Sequence, residues 1–386
     1  MENFIYDVGT KVYFGKGQIK HLPEIIKTYG NKVLVVYGGG SIKRNGIYDE
    51  VVDLFHEHAI SFYELAGVEP NPRIETVRKG VALCREHEID VVLAIGGGSS
   101  IDCAKVVAAA VDYDKDSWDI VLHPEYIKNV LPIISILTLS ATGSEMDPFA
   151  VISNMETNDK LGTSHPEMRP KVSILDPSYT CSVPAYQTAA GTADIMSHIM
   201  ECYFTNKEGY MQDRMAEGLL KTCIEFGVKA IENPNDYDAR ANLMWASSWA
   251  INNFIKLGKV IGWSVHPMEH QLSAYYDITH GVGLAILTPH WMEYILNEHT
   301  VDKFRMFGVN VWNIDPNQDK YEIAKLAIEK TRAYFKAMNL PQTLREVGIE
   351  DDRYFDIMAQ KASPRLKIGF QPLEKQDIIN IFYKAL

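Results

Sequence analysis

The sequence has few cysteines and no long apolar run, and both absences limit the classes of protein it can encode. Its five cysteines include no Cys-x-x-Cys pair, and an odd number does not suggest a disulfide framework. They lie in apolar segments such as IDCAK, which favours cysteines that fill a core. No apolar window reaches the length of a membrane span, and the first residues lack the pattern of a secretory signal. We therefore expect a cytoplasmic protein that does not enter a membrane.

Basic charge is also scarce, since 38 lysines and arginines face 50 acidic residues, for a net charge of −12. No basic stripe is present that could neutralise a run of phosphates, which argues against general binding to nucleic acid or anionic membranes. A pair such as Lys43 and Arg44 is large enough to contact one phosphate group. The remaining composition, 46% apolar and 23% charged, is that of an ordinary globular protein.

The common nucleotide motifs GxGxxG and Walker A are missing, and no internal repeat is visible. The first half instead alternates apolar strand-like segments, including 32–41, 131–146 and 172–180, with helix-like segments. This alternation predicts an α/β domain with a Rossmann-like parallel sheet, whose sites lie at the C-terminal ends of the strands. After Pro184 helical periodicity replaces the strand signal. We therefore predict an α/β domain at 1–181, an all-helical domain at 182–386 and a working cleft between them.

Two glycine clusters follow predicted strands. Gly96, Gly97 and Gly98 open a helix, where their N–H groups and the helix dipole favour a pyrophosphate, although a tight strand-to-helix turn would also explain them. The second cluster, GGGS at 38–41, occupies the place expected for an adenosine ribose. The local sequence supplies no acid there, whereas Ser41 and Lys43 could bind a 2′-phosphate. The pattern favours NADP(H) over NAD(H).

Histidines with ligand spacing occur in the second half. His266 and His270 are one helical turn apart, and His280 follows after a short connection. On another predicted helix, Asp194 and His198 have the same spacing. Either pair alone could be structural, but together they predict a metal held by one carboxylate and up to three imidazoles, with one histidine left over. Pro267 leaves two possibilities, a kinked helix through His266 or a new helix that starts at the proline.

With these motifs in place, the sequence resembles the iron-containing alcohol dehydrogenase family, and in detail its NADPH-dependent butanol dehydrogenase and aldehyde reductase branch. The resemblance runs over nearly the whole chain, through GTKVYFGKG, GGGSSIDCAK, TLSATGSEMD and the histidine-rich stretch. It implies an α/β nucleotide domain followed by an all-helical metal domain, the domain order also of dehydroquinate synthase. It further implies a homodimer and a reaction between short primary alcohols and aldehydes, such as butanol and butanal.

The resemblance also assigns roles to individual residues. The metal ligands would be Asp194, His198, His266 and His280, holding Fe²⁺ or Zn²⁺. His270 is similar to a non-ligand histidine near the substrate that is discussed as a proton relay. Contacts to the cofactor NADP(H) would come from Gly38, Gly39, Gly40, Ser41, Gly97, Gly98, Ser99, Asp102, Thr138, Ser140, Thr142 and Lys160. For Lys160, the polar segment TNDKLGTS alone would indicate a solvated loop.

Two alternatives fit parts of the pattern. One is a lyase or cyclase of the dehydroquinate synthase kind, whose phosphate- and carboxylate-bearing substrate requires basic residues near the histidines. The stretch HPMEHQLSAYYDITHG supplies none. The other is a non-catalytic nucleotide-sensing or metal-storage protein, whose site needs no open coordination position.

Overall fold

A computed structural model describes residues 1–207 and 209–386. Over these residues the chain divides into two compact units. The α/β unit comprises Asp7–Val183 and Pro234–Ser248, and the helical unit comprises Met1–Tyr6, Pro184–Asn233 and Trp249–Leu386. The single boundary predicted after residue 181 differs from this division in two ways. The main break lies at Pro184, and each unit also contains a short segment from elsewhere in the sequence.

All strands of the described residues lie in the α/β unit. They are β1 (Lys11–Phe14), β2 (Lys32–Tyr37), β3 (Ser61–Leu65), β4 (Val91–Gly96), β5 (Ile133–Leu137), β6 (Phe149–Asn154), β7 (Asp159–Ser164) and β8 (Val172–Leu175). Six of them form one sheet in the order β1-β8-β5-β4-β2-β3, and every pairing in it is parallel. The other two, β6 and β7, pair antiparallel.

The sheet forms because its central strands are continuous runs of β-branched and other apolar residues that are buried on both faces. On β2, Leu34 and Val36 contribute to one hydrophobic cluster, whereas Val33 and Val35 contribute to the other. Successive side chains of a strand point to opposite faces, so each cluster lies on one side of the sheet. The predicted parallel sheet is confirmed.

Helices cover this sheet and make up the second unit. Those that begin before Pro184 are α1 (Leu22–Lys27), α2 (Ser41–Arg44), α3 (Ile47–Glu57), α4 (Ile74–His87), α5 (Gly98–Ala110) and α6 (Ser117–Leu122). The later ones are α7 (Ala185–Tyr203), α8 (Tyr210–Glu232), α9 (Tyr237–Ile251), α10 (Val265–Tyr276), α11 (His280–Ile295), α12 (Val301–Trp312), α13 (Lys320–Ala337), α14 (Phe355–Ala362) and α15 (Lys375–Ala385). None of the described residues after Pro184 lies in a strand, which confirms the predicted all-helical second half. The described helices include none with the length and hydropathy needed to span a bilayer.

Some short strands with polar or mixed sequences were not predicted. The edge strand β1 has only four residues, and β7 reads DKLGTS, without the apolar run that marked the central strands. Lys160 therefore lies on β7 with 4% exposure, in register with Ser153 of β6. The expectation of a solvated loop lysine from the local sequence was wrong, because pairing with β6 buries this polar segment.

Candidate metal centre and nucleotide-binding turns

Helix α7 carries the first two candidate ligands. Asp194 lies in the interior of this 19-residue helix and is 2% exposed, so it is not a carboxylate favoured by a helix start. His198, one turn later, is 5% exposed and projects from the same face. A buried carboxylate in a helix interior is costly unless a cation or hydrogen-bond donors stabilise it.

The second pair lies on α10, which begins at Val265. Of the two possibilities raised by Pro267, the helix that runs through His266 is the one observed, since α10 begins two residues before the proline. Pro267 falls in the first turn, where a backbone N–H has no partner within the helix, so the proline costs no intrahelical hydrogen bond. His266 and His270 therefore lie one turn apart on the same helix. His280 is the first residue of α11.

The imidazoles of three candidate ligands converge on a carboxylate oxygen of the fourth candidate, Asp194. Asp194 Oδ1 lies 3.5 Å from His198 Nδ1, 3.7 Å from His266 Nε2 and 3.7 Å from His280 Nε2. These distances are too long for good hydrogen bonds. They match the spacing of ligands on a shared ion, because two atoms each 2.1 Å from a tetrahedral ion lie about 3.4 Å apart. The structure thus brings together Asp194, His198, His266 and His280.

Three of these four atoms have no hydrogen bond to a described residue. Among the described residues, Asp194 Oδ1, His198 Nδ1 and His266 Nε2 are buried without a hydrogen bond. Buried polar atoms are nearly always hydrogen-bonded, so three unbonded atoms that lie close together are the arrangement expected of metal ligands. Burial lowers the pKa of His198 to about 4, which keeps this imidazole neutral and able to act as a ligand. Burial alone would raise the pKa of Asp194, but His198, His266 and His280 lower it more, so the carboxyl is ionised. One carboxylate and three imidazoles suit Fe²⁺ or Zn²⁺.

His270 lies beside this group of ligands. Its ring centroid is 5.5 Å from that of His280 and 6.3 Å from that of His266. The indole of Trp263 packs edge-on against His198 and His266, with centroid distances of 6.0 and 5.1 Å. An apolar ring at this position excludes water from one side of the imidazoles.

Two buried glutamates that sequence reasoning missed contact the ligand imidazoles. Glu201 pairs with His266 Nδ1, and Glu269 pairs with His280 Nδ1. Helical spacing could have identified both. Glu201 follows Asp194 by seven residues on α7, and Glu269 follows His266 by three on α10.

The predicted nucleotide contacts lie in the α/β unit, mostly after the C-terminal ends of neighbouring strands. Gly38, Gly39 and Gly40 follow β2, and Thr138, Ser140 and Thr142 follow β5. Gly97 and Gly98 connect β4 to the N-terminus of the 13-residue helix α5, with Ser99 in its first turn. This terminus has no side-chain cap and no acid in its first turn, so its backbone N–H groups and dipole suit a phosphate.

Side chains around this turn also have structural contacts. A Cβ on Gly98 would lie 2.4 Å from Thr142 Oγ1, so this glycine lets the loop after β5 pack on the start of α5. Ser99 Oγ donates to the Pro70 carbonyl at 2.5 Å. Asp102 accepts from Ser144 Oγ at 2.6 Å and from the Val151 N–H at 2.9 Å, so both of its oxygens anchor neighbouring segments.

An acid that the local sequence does not indicate lies beside the first glycine turn. Glu64 comes from β3, which pairs with β2, and its Oε2 lies 3.3 Å from Lys43 Nζ. Glu64 also accepts hydrogen bonds from the hydroxyls of Tyr37 and Tyr48. Partial burial raises its pKa, but these two hydroxyls and Lys43 lower it more, so the pKa of Glu64 lies below its usual range. The positive charge of Lys43 is therefore already partly compensated.

Comparisons with known proteins identify the family. The model of the iron-containing alcohol dehydrogenase matches residues 9–177, and that of the Fe-containing alcohol dehydrogenase family, C-terminal, matches residues 188–386. The chain belongs to the iron-containing alcohol dehydrogenase family. As a member, it is an alcohol and aldehyde oxidoreductase, which selects this reading over the lyase and the nucleotide sensor.

Relatives align with this iron-containing alcohol dehydrogenase over at least 90% of their length. NADH-dependent butanol dehydrogenase A of Clostridium acetobutylicum is 61% identical, with 100% of both chains covered. NADPH-dependent aldehyde reductase YqhD of Escherichia coli is 39% identical, over 91% of this chain and 90% of the relative. The crystal structure of NADH-dependent butanol dehydrogenase A from Thermotoga maritima superposes with a TM-score of 0.95 at 38% identity, covering 100% of this chain and 99% of that one. These comparisons confirm the resemblance and the fold class predicted from the sequence.

Proposed function

We propose that this oxidoreductase interconverts short-chain primary alcohols and aldehydes, such as butanol and butanal, with a nicotinamide cofactor and one divalent ion, Fe²⁺ or Zn²⁺. The observation that carries the proposal is the convergence of three imidazole nitrogens on Asp194 Oδ1 at 3.5–3.7 Å. The names of the relatives support the substrate class. The absence of lysine and arginine from residues 262–281 supports a neutral substrate.

This reaction assigns a role to each group of candidate site residues. Asp194, His198, His266 and His280 would hold the ion, whose chemistry when bound is to polarise the substrate oxygen. The turns after β2, β4 and β5 would hold the nicotinamide cofactor, which exchanges reducing equivalents with the substrate carbon. Aldehyde reduction also consumes one proton. His270, the imidazole next to the ligands, is our candidate to deliver that proton.

For the cofactor, we propose a preference for NAD(H). The sequence predicted NADP(H) because it showed no acid near the GGGS turn, but the register of β2 and β3 supplies Glu64 beside Lys43. An ionised carboxylate can accept from a ribose 2′-hydroxyl and repels a 2′-phosphate. The 61%-identical relative is named as NADH-dependent, whereas the 39%-identical reductase is named as NADPH-dependent.

The metal site is tested by Asp194→Asn, which keeps the shape of the side chain and removes its charge. We expect it to lose the bound ion and to reduce butanal more than about 100-fold more slowly, beyond the usual effect of residues that only support ligands. Metal content is measured by mass spectrometry and turnover by nicotinamide absorbance. Asp302→Asn is a matched control, since Asp302 is an exposed acid on α12 of the same unit. Unchanged metal content and turnover in Asp194→Asn would refute the site.

The cofactor preference is tested by Glu64→Gln. Removing this negative charge should raise the NADPH-to-NADH ratio of kcat/KM by about tenfold, because a unit charge near a 2′-phosphate contributes on the order of 1 kcal/mol in partly exposed sites. Glu88→Gln removes the acid of another surface pair, with Lys32 at 3.1 Å, and should leave the ratio unchanged. A wild-type ratio that already favours NADPH, with no rise in Glu64→Gln, contradicts the proposal.

A homodimer and a cytoplasmic location complete the proposal. Both follow from the family resemblance and the sequence. The five cysteines are free thiols, which supports a reducing compartment.

A further inference from the structure

We propose that Glu201 and Glu269 are positioning residues of the metal centre. Each would hold one ligand imidazole through Nδ1 so that its Nε2 is directed at the ion. This inference rests on the metal site proposed above, and it concerns residues outside the set of four ligands.

Glu201 joins the two helices that carry ligands. It lies on the face of α7 that bears Asp194 and His198, and it is 2% exposed. Its Oε2 accepts from the backbone N–H groups of Ser264 at 2.5 Å and Val265 at 2.9 Å, and its Oε1 pairs with His266 Nδ1. Because α10 has no side-chain cap of its own, Glu201 serves as its cap and also orients the first histidine of this helix.

Glu269 plays the corresponding part for His280. It is fully buried on α10, its Oε2 pairs with His280 Nδ1, and its Oε1 accepts from the Ser273 hydroxyl. Space for it is made by Gly283 of α11, where a Cβ would lie 2.8 Å from the Glu269 Cγ. The start of α11 is thus shaped around this carboxylate.

The chemistry of imidazole explains why such contacts matter. A neutral imidazole has one N–H, so a carboxylate that accepts from Nδ1 leaves the lone pair on Nε2. In both residues Nε2 is the atom 3.7 Å from Asp194 Oδ1. The two carboxylates therefore select the ligand tautomer, fix the ring orientation and increase the basicity of the nitrogen. Glu201, Glu269 and Asp194 are thus three buried acids around a site for a divalent cation.

A graded pair of substitutions tests the role of Glu269. Glu269→Gln keeps an acceptor but removes the charge, and Glu269→Met removes both. We expect the dissociation constant for Zn²⁺, measured by competition with a chromophoric chelator, to rise about 10-fold in the first and about 100-fold in the second. The visible absorption bands of the Co²⁺-loaded protein should also change, since they report ligand geometry. Glu201→Gln should weaken Zn²⁺ binding in the same range.

Glu217→Gln is the matched control. Glu217 is a buried acid of the same unit, 6% exposed on α8, and it accepts from the Tyr203 hydroxyl at 2.8 Å and Asn310 Nδ2 at 2.9 Å. This substitution should lower thermal stability without changing Zn²⁺ affinity or the Co²⁺ spectrum. Thermal melting of the metal-free proteins shows whether each variant is folded before its affinity is compared.

The outcomes separate this inference from the proposed function. Folded Glu269 and Glu201 variants with wild-type Zn²⁺ affinity and an unchanged Co²⁺ spectrum would overturn the inference and leave the four-ligand site intact. A second ion per chain, lost in Glu269→Gln, would also overturn it, because Glu269, His270 and His280 themselves have metal-ligand spacing. A wild-type protein that binds no ion would instead overturn the proposed function.

Discussion

At the scale of single residues, buried acids differ in what their second oxygen contacts. Asp102 and Glu201 accept hydrogen bonds on both oxygens, whereas Glu145 accepts on Oε1 from the Ser248 hydroxyl at 2.5 Å. Among the described residues, the other oxygen of Glu145 is buried without a partner. Burial accordingly raises the pKa of Glu145 to about 7.

This residue predicts a pH dependence of stability. Because the folded-state pKa lies above the unfolded value, Glu145 contributes stability at low pH that is lost as the pH rises through about 7. Glu145→Gln removes this loss. Relative to wild type, the variant should gain up to about 3 kcal/mol in the free energy of unfolding between pH 5 and pH 8.

Urea unfolding of both proteins across this pH range measures the effect. Glu86→Gln, which changes an exposed acid on α4 of the same unit, should follow the wild-type curve. A constant difference between Glu145→Gln and wild type from pH 5 to pH 8 would show that Glu145 does not titrate in this range.

The residue scale also shows what sequence can and cannot predict. Spacing of one helical turn was enough to find Asp194 with His198 and His266 with His270, because a helix fixes which residues share a face. The same rule would have found Glu201. Glu64 and Lys43 are different, since 21 positions separate them and only the register of β3 on β2 brings them together.

At the scale of elements, the close approach of two helices determines where His280 lies. Gly281, the second residue of α11, packs against α7, and a Cβ there would lie 2.0 Å from the Ala190 carbonyl oxygen. Backbone atoms cannot move aside as a flexible side chain can. The glycine therefore lets α11 deliver its first residue to the ligands on α7.

Gly281→Ala should force the two helices apart. We expect a loss of about 1–3 kcal/mol in stability from overpacking, together with weaker metal binding because His280 is displaced. Chemical unfolding and Zn²⁺ titration measure the two effects. Gly218→Ala is the matched control, because this glycine of α8 is exposed and no atom of the described residues lies within 4 Å of the added Cβ. It should stabilise the protein by about 0.5–1 kcal/mol. Equal behaviour of the two variants would contradict the packing argument.

Elements differed in how well the sequence predicted them. The central strands were predictable because burial on both faces requires a continuous apolar run, as in the KVLVVY segment of β2. Strand β7 was missed because it is buried through its pairing with β6 and through the hydrogen bond from the Thr163 hydroxyl to the Ile120 carbonyl. Neither contact requires an apolar pattern in the sequence. The start of α10 was missed because its cap is Glu201, a residue from another helix.

At the scale of the whole molecule, the division of the chain separates two kinds of chemistry. The candidate nucleotide contacts belong to the α/β unit and the candidate ligands to the helical unit. Family membership explains why both occur in one chain, since an iron-containing alcohol dehydrogenase uses a nucleotide cofactor and a metal. Composition alone could not predict that one chain carries both nucleotide contacts and metal ligands. The motifs, in their order along nearly 400 residues, could predict it.

The metal site is tested most directly by a crystal structure of the metal-loaded protein with anomalous data collected above and below the absorption edge of the bound metal. We predict one anomalous peak per chain, about 2.0–2.2 Å from Asp194 and from a ring nitrogen of His198, His266 and His280. Protein that reduces butanal but shows no peak at these four residues, or shows its peak elsewhere, would contradict metal binding by Asp194 and the three histidines.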